Sequence, residues 1–247
     1  VYFKCENFQR MGAFKIRGAA NKLRGLRQEE GVRGVITVSS GNHGKAVALV
    51  ARKLGLRAVV CMSTRVPSNK VESIRQLGAE VVLHGESYDE AERRAIALQE
   101  DEGLTMIPPF DDPLIIAGQG TIGLELLEDL PELDTVLVPL SGGGLISGIA
   151  LVLKAADPSI RTVGVSMERA PVMVHSLRAG KPIEMEEEPT LADALAGGIG
   201  LSNRYTFCMV QTYVDETVLV TEEEIAQAMA FALTCHHLVV EGGGAVA

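Results

Sequence analysis

The sequence lacks tryptophan altogether, and aromatic residues make up only 4% of its 247 positions. Hydrophobic residues nevertheless account for 47%, so the apolar content is mainly Val, Leu, Ile and Ala. This composition suits parallel strands that are buried on both faces of a sheet. Cysteine is scarce too: none of the four cysteines forms a CxxC pair, so neither a zinc site nor a disulfide framework is suggested. A reduced, cytoplasmic setting is therefore expected.

Long apolar runs and an excess of basic residues are also missing. We find no run of transmembrane length and no signal-peptide pattern, so we expect no membrane partner. The net charge of −9 argues against a nucleic-acid groove and favours a protein that handles small molecules. Val1–Cys5 has the pattern of a strand, and residues 241–247 stop where a loop should lead into a helix. We therefore expect the sequence to be part of a longer protein.

Strand and helix patterns alternate along the chain. The predicted strands are 35–38, 58–61, 81–83, 136–138, 162–165 and 217–220, and the predicted helices are 43–54, 68–77, 88–102, 120–130, a segment ending near 156, and 222–235. We expect Ser68 to cap the second of these helices, and Thr221 with Glu224 to form a capping box for the last. The alternation predicts parallel sheets with right-handed crossovers. Residues 108–113 contain three prolines and form the clearest linker, which predicts two α/β layers with a cleft between them.

The loop Ser141–Leu145 carries three consecutive glycines between a predicted strand and a predicted helix. Bare glycine backbone lets several N–H groups approach one anion, and the helix dipole adds positive potential, so phosphate is the natural ligand. A tight strand-to-helix turn is the simpler alternative. Dinucleotide binding is a weak match, because the third glycine of GxGxxG is absent, although Glu168 ends a following strand.

A second loop, Ser39–Gly44, also follows a strand and opens a helix. It predicts another anion site, sized for a carboxylate, in which Ser40 adds a hydroxyl and Asn42 an amide. The alternative is an ordinary helix cap, which Ser and Asn favour. His43 could equally be a capping or packing histidine.

Lys15 lies where a loop turns into a helix. Lysines near helix starts are usually exposed and inert. A helix N-terminus disfavours positive charge, however, and Arg17 is close, so both should lower the lysine pKa and favour the neutral amine that forms an imine. Phe14 could pack against a planar ring. A lysine combined with two anion-binding loops indicates an aldehyde cofactor that carries a phosphate, pyridoxal 5'-phosphate.

Four motifs occur in the order and approximate spacing of one known family. They are Phe14–Ala19, Ser39–Gly44, Ala117–Thr121 and Ser141–Leu145. In these motifs the sequence resembles the fold type II pyridoxal-phosphate enzymes, nearest to the threonine/serine dehydratases and serine racemases. The resemblance covers essentially the whole chain. The resemblance implies two three-layer α/β domains with mostly parallel sheets, similar to tryptophan synthase β, with the cofactor in the cleft between them. It also implies a homodimer, a large domain of residues 1–33 plus 113–247, and a small domain of residues 34–112.

The resemblance implies a role for each matched residue. Lys15 would hold the cofactor as a Schiff base and then move the substrate α-proton, and Ser40 would face the opposite side of the ring. The cofactor-binding residues would be Phe14, Lys15, Asn42, Ser141, Gly142, Gly143, Gly144, Leu145 and Glu241. The substrate-binding residues would be Ser39, Ser40, Gly41, Asn42, His43 and Gln119.

The sequence departs from the family pattern at several positions. Ser141 replaces the first of the four glycines that many relatives have, and Ala194 stands where dehydratases often have glycine. Glu168 matches one ligand of a divalent cation site found in some relatives, but Val174 replaces a second acidic ligand, so no metal is expected. The residue that bonds the pyridine nitrogen would lie beyond residue 247.

These observations predict β-elimination of a small hydroxy amino acid, such as threonine or serine, to a 2-oxo acid and ammonia. Two related activities stay open. One is a serine or threonine racemase that uses Ser40 to return the proton. The other is a dehydratase for a modified hydroxy amino acid from hydroxyectoine breakdown, which Ala194 and residues 197–200 keep open. A non-catalytic or dinucleotide-binding protein is the alternative from a different class.

Overall fold

The computed structural model describes residues 1–29 and 31–247, which divide into two compact units. One unit is Phe8–Pro109, and the other combines Val1–Asn7 with Phe110–Ala247. The predicted large and small domains differ from these units mainly in residues 8–33, because the first helix packs against the second helix within the smaller unit. The predicted domain division stays a prediction. Among the described residues, no helix is both long and apolar enough to cross a membrane.

The unit Phe8–Pro109 is built on a four-stranded parallel sheet. The strands are β1 (Val35–Val38), β2 (Ala58–Met62), β3 (Glu80–Leu83) and β4 (Thr105–Met106), and the helices are α1 (Lys15–Arg27), α2 (Asn42–Leu54), α3 (Ser68–Gln76) and α4 (Tyr88–Glu102), after a 3-10 turn at Glu6–Phe8. The strand order is β3-β2-β1-β4, with Val35 in register with Ala58 and Thr105. Every residue of β1 and β2 is buried, as expected for inner strands of a parallel sheet.

The second unit contains a three-stranded parallel sheet of order β5-β6-β7. Its strands are β5 (Thr135–Pro139), β6 (Arg161–Met167) and β7 (Glu216–Val220), and its helices are α5 (Pro113–Asp129), α6 (Gly144–Ala156), α7 (Val172–Ala179), α8 (Thr206–Tyr213), α9 (Glu222–His236) and α10 (Gly242–Ala245), with a 3-10 turn at Asp193–Leu195. The two sheets confirm the predicted α/β class with parallel strands.

Local sequence signals explain most helix ends. The predicted capping box at α9 is confirmed: the Thr221 hydroxyl accepts a hydrogen bond from the Glu224 N–H, and the Glu224 carboxylate accepts one from the Thr221 N–H. The predicted cap at Ser68 is wrong. Pro67 occupies the cap position of α3, and Ser68 is already the first helical residue.

Two further predictions need correction. Val1–Cys5 does not form a strand; Lys4 instead makes ion pairs with Glu125 and Asp129 of α5, at 2.9 and 3.0 Å. Helix α5 begins at Pro113 and not at Gly120. Proline is well tolerated at the first helical position, where its missing N–H is not needed, and the Asp112 carboxylate caps the N–H groups of the next two residues.

Glycines let α5 and α6 approach backbone to backbone. A methyl group on Gly148 of α6 would lie 2.6 Å from the Gly120 nitrogen of α5, and one on Gly123 would lie 2.9 Å from Val152 Cβ. Both distances are shorter than side chains tolerate. The packing therefore fixes α6, the helix that the triple-glycine loop opens, directly against α5.

Candidate active site

Lys15 is the first residue of α1 and is partly buried. Its Nζ donates a 2.7 Å hydrogen bond to the Pro109 carbonyl and lies 5.3 Å from the centre of the Phe14 ring. Burial lowers the lysine pKa to about 8. The sequence predicts this direction, but from the helix N-terminus and Arg17, whereas the cause in the structure is loss of solvation. A substantial fraction of this amine is thus neutral near pH 8.

His43 is the second residue of α2, and its buried ring contacts Ile107, the residue that follows β4. Its Nε2 donates a 3.0 Å hydrogen bond to the Ile107 carbonyl, which also accepts a 2.9 Å bond from the Thr37 hydroxyl. Burial, together with the nearby Lys15 charge, lowers the imidazole pKa to about 3. The ring therefore stays neutral at ordinary pH and acts as a packing group, so a ligand could meet only the backbone of His43.

The loop Ser39–Gly44 folds back on itself before α2. The Ser39 hydroxyl accepts a 3.2 Å hydrogen bond from the Gly41 N–H, and Gly44 packs so closely on the Ser39 carbonyl that a methyl group there would overlap it. Gly41 occupies the cap position of α2 and has no side chain to offer. The cap residue itself offers no acceptor, so the N–H groups in the first turn of this 13-residue helix are natural candidates for anion donors.

The loop Ser141–Leu145 joins β5 to α6, and its three glycines are all buried. Gly143 occupies the helix cap position with φ +85°, a left-handed conformation that favours glycine. Side chains also crowd all three residues. A methyl group would lie 2.6 Å from Phe110 Cε1 if placed on Gly142 and 2.8 Å from Phe110 Cβ if placed on Gly144. The loop is therefore a bare backbone surface at the start of a 13-residue helix.

Other predicted residues lie in the same unit as this loop. The Ser141 hydroxyl donates a 2.8 Å hydrogen bond to the Leu195 carbonyl, so it binds protein in this structure. A methyl group on Gly243 would lie 3.1 Å from Ala194 Cβ, so the unusual alanine packs on the segment that begins at Glu241. Glu241 is exposed at the start of α10. Gln119 is buried within α5.

Three residues of the predicted linker were missed as contributors to these groups. In one unit, the Pro109 carbonyl accepts a hydrogen bond from Lys15 Nζ. In the other unit, Phe110 packs against the glycine loop, and Asp111 caps α8. The proline spacing indicated only a break between elements. The one available signal was Phe110, a large aromatic residue in a linker that otherwise consists of prolines and aspartates.

Pyridoxal phosphate fits the residues that the structure describes. Neighbouring side chains leave no room for a Cβ at Gly142, Gly143 or Gly144, so the loop can offer a ligand only its backbone, and the dipole of α6 favours a phosphate there. Lys15 supplies an amine with a lowered pKa for the aldehyde. Among residues 1–29 and 31–247, no group of three His, Cys, Asp or Glu side chains could hold a metal ion.

Comparisons with known proteins agree with this fit. An L-threonine ammonia-lyase of Thermotoga maritima is 47% identical over 246 residues, which cover 100% of this chain and 61% of the relative. The structure of maize serine racemase superposes with a TM-score of 0.93 at 41% identity, over 99% of this chain and 73% of that one. Processed threonine deaminase isoform 2 of Solanum lycopersicum gives a TM-score of 0.93 at 40% identity, over 99% of this chain and 71% of that one.

The chain thus spans less than two thirds of the length of its Thermotoga relative. The family described as pyridoxal-phosphate dependent enzyme matches residues 1–247, which is the whole chain. Since this match covers the whole chain, the chain belongs to the pyridoxal-phosphate dependent enzymes.

Proposed function

We propose that the protein is a threonine or serine dehydratase, which converts a hydroxy amino acid to a 2-oxo acid and ammonia. The observation that carries this proposal is Lys15, a partly buried lysine at the start of α1 whose pKa is lowered to about 8. The named activities of the ammonia-lyase and deaminase relatives support the same reaction.

The two loops would bind different molecules, the cofactor phosphate and the substrate carboxylate. The backbone N–H groups of Gly142, Gly143 and Gly144 would hold the cofactor phosphate, with Ser141 and Leu145 at the ends of the loop. Phe14 would pack beside the cofactor ring, Asn42 would bond its phenolic oxygen, and Glu241 would lie near it.

The substrate would be held by the other loop. Ser39, Ser40, Gly41 and the backbone of His43 would bind its carboxylate at the start of α2, where the helix dipole favours an anion. Gln119 would lie near the substrate. Held in this way, the Cα–H bond can point at one protein base, which is the main contribution of positioning to the rate.

Lys15 would move the proton. When bound, pyridoxal phosphate supplies an electron sink that makes the α-proton of the substrate acidic. Lys15 Nζ would take this proton from the substrate Cα. The Cβ–O bond would then break as the hydroxyl takes up one proton and leaves as water, and the proton that Lys15 gives up balances the one that the leaving group gains. The released enamine would hydrolyse to the 2-oxo acid and ammonia. A lysine with a pKa near 8 is suited to act as this base at neutral or slightly alkaline pH.

A panel of hydroxy amino acids, headed by threonine and serine, tests the proposal by assay of 2-oxo acid and ammonia. We expect Lys15→Ala to lower kcat by about 10³-fold or more, because it removes both the covalent anchor and the base. Lys53→Ala, at an exposed position on α2, is the matched control and should keep wild-type activity. A colourless wild-type protein that borohydride cannot label at Lys15 would contradict the proposal and favour a non-catalytic or dinucleotide-binding protein.

A racemase would use the same residues, and likeness to maize serine racemase supports this second candidate. Ser40 would then return the proton to the opposite face of the substrate. Ser40→Ala should abolish racemisation and spare much of the elimination. Equal loss of both would count against the assignment. Activity on a modified hydroxy amino acid from hydroxyectoine breakdown remains a prediction for the same panel.

The homodimer, the cytoplasmic location, the Schiff base at Lys15 and the cofactor cleft between two domains also remain predictions. Sedimentation tests the first. The four cysteines, all free, are compatible with a reducing compartment.

A further inference from the structure

Phe110 lines the triple-glycine loop with both its ring and its backbone. A methyl group on Gly142 would lie 2.6 Å from Phe110 Cε1 and Cγ, and one on Gly144 would lie 3.1 Å from the Phe110 carbonyl oxygen. The contact therefore involves the two ends of the glycine run. A large rigid ring at this distance leaves the loop backbone little room to change its conformation.

Asp111, the next residue, holds the start of α8. Its Oδ1 accepts hydrogen bonds from the Tyr205 and Thr206 N–H groups, both at 2.9 Å, and its Oδ2 accepts one of 2.7 Å from the Arg204 N–H. A carboxylate that satisfies three backbone donors at a helix N-terminus is a strong cap. It fixes the position of the first turn of α8.

That first turn in turn packs on the middle of the loop. A methyl group on Gly143 would lie 3.1 Å from Thr206 Cβ and 3.0 Å from Val210 Cγ2, and both of these side chains are fully or almost fully buried. Phe110 thus contacts Gly142 and Gly144 directly, while Asp111 reaches Gly143 through α8. All three glycines depend on two adjacent residues that the sequence pattern presents as a linker.

We propose that Phe110 and Asp111 are positioning residues that hold the N–H groups of the glycine loop ready for a phosphate. Without them the loop would sample other conformations, and phosphate binding would have to restore the original one at a cost in affinity. This inference rests on the proposed function, because it takes the loop to be the phosphate site.

The test compares pyridoxal 5'-phosphate with pyridoxal, which lacks the phosphate, by titration of the full chain. We expect Phe110→Leu and Asp111→Ala each to raise the dissociation constant of the phosphorylated ligand about 10-fold or more, and to change that of pyridoxal by less than about 2-fold. Asp112→Ala is the matched control. It removes the neighbouring carboxylate, which caps α5 and not α8, so it should lower folding stability without this ligand-specific loss.

Equal weakening of both ligands, or a wild-type protein that binds them equally, would overturn the inference. The same holds if Asp112→Ala reproduces the effect of Asp111→Ala. Should Asp111→Ala fail to fold, Asp111→Asn keeps the side-chain volume and removes one acceptor oxygen, and Gly142–Gly144 amide hydrogen exchange should then be faster than in the wild type. Threonine dehydration by the wild type is assayed separately, so a failure of the proposed reaction is not confused with a failure of this inference.

Discussion

The two loops predicted to bind anions have the same construction and different surfaces. Each follows a strand of a parallel sheet and opens a 13-residue helix. The loop Ser39–Gly44 keeps polar side chains and is closed by its own backbone, since Gly44 packs on the Ser39 carbonyl. The loop Ser141–Leu145 presents bare backbone and is closed by other elements, among them Phe110 and α8. The two turns therefore share a fold and differ in the atoms that surround them.

Adding a methyl group to each loop should break this comparison most clearly. Gly44→Ala forces a backbone carbonyl to move, so we expect a loss of about 3 kcal/mol in the free energy of unfolding, at the upper end for overpacking. Gly142→Ala meets a side chain instead and should cost about 1–2 kcal/mol. Urea unfolding of the cofactor-free variants measures both.

Shortening the side chain that the added methyl group would meet tests the difference between the two loops. Phe110→Leu should restore part of the stability lost in Gly142→Ala, whereas Ile74→Val, which shortens the side chain nearest Gly44, should not rescue Gly44→Ala. Rescue of both, or of neither, would mean that the two loops are closed in the same way.

Acid should destabilise the loop Ser39–Gly44, which contains His43, by a smaller free energy. The pKa of His43 is about 3 in the folded protein, against 6.5 for an unperturbed histidine, so the unfolded chain binds this proton first as the pH falls. His43 therefore stabilises the fold fully above pH 6.5 and progressively less below it, by about 2 kcal/mol at pH 5. Thermal unfolding of wild type and His43→Asn between pH 7 and 5 should show that the stability of the variant depends less steeply on pH. Equal slopes would contradict the buried neutral imidazole.

Serine to alanine changes should produce the smallest difference. Ser141→Ala removes the 2.8 Å bond to the Leu195 carbonyl, and we expect a loss of about 1 kcal/mol in the free energy of unfolding. Ser39→Ala removes a longer 3.2 Å bond in a partly exposed loop and should cost about 0.5 kcal/mol. The reverse order in chemical unfolding would show that the first loop depends more on its side chains than its geometry implies.

Local chemistry made much of the fold predictable. Consecutive β-branched residues marked β1 and β7, and the Thr221–Glu224 pair marked the start of α9, because these signals act over a few residues. The start of α5 was missed because prolines near a helix boundary were interpreted as a break, although Pro113 is favourable at the first helical position.

The candidate site was predictable in its residue types but not in their long-range contacts. The glycine loops and Lys15 have sequence patterns that imply an anion and an amine. The partner of Lys15 has no such sequence pattern. The Pro109 carbonyl is 94 residues away, and every residue type has a backbone carbonyl. The cause of the lowered lysine pKa was missed for the same reason, since burial depends on distant segments.

The glycine contact between α5 and α6 limits where this protein can be altered without loss of its fold. Because Gly120 and Gly148 admit no methyl group between the two helices, their axes cannot separate or rotate without unmaking the interface. An engineer who alters this protein should therefore leave this helix pair unchanged.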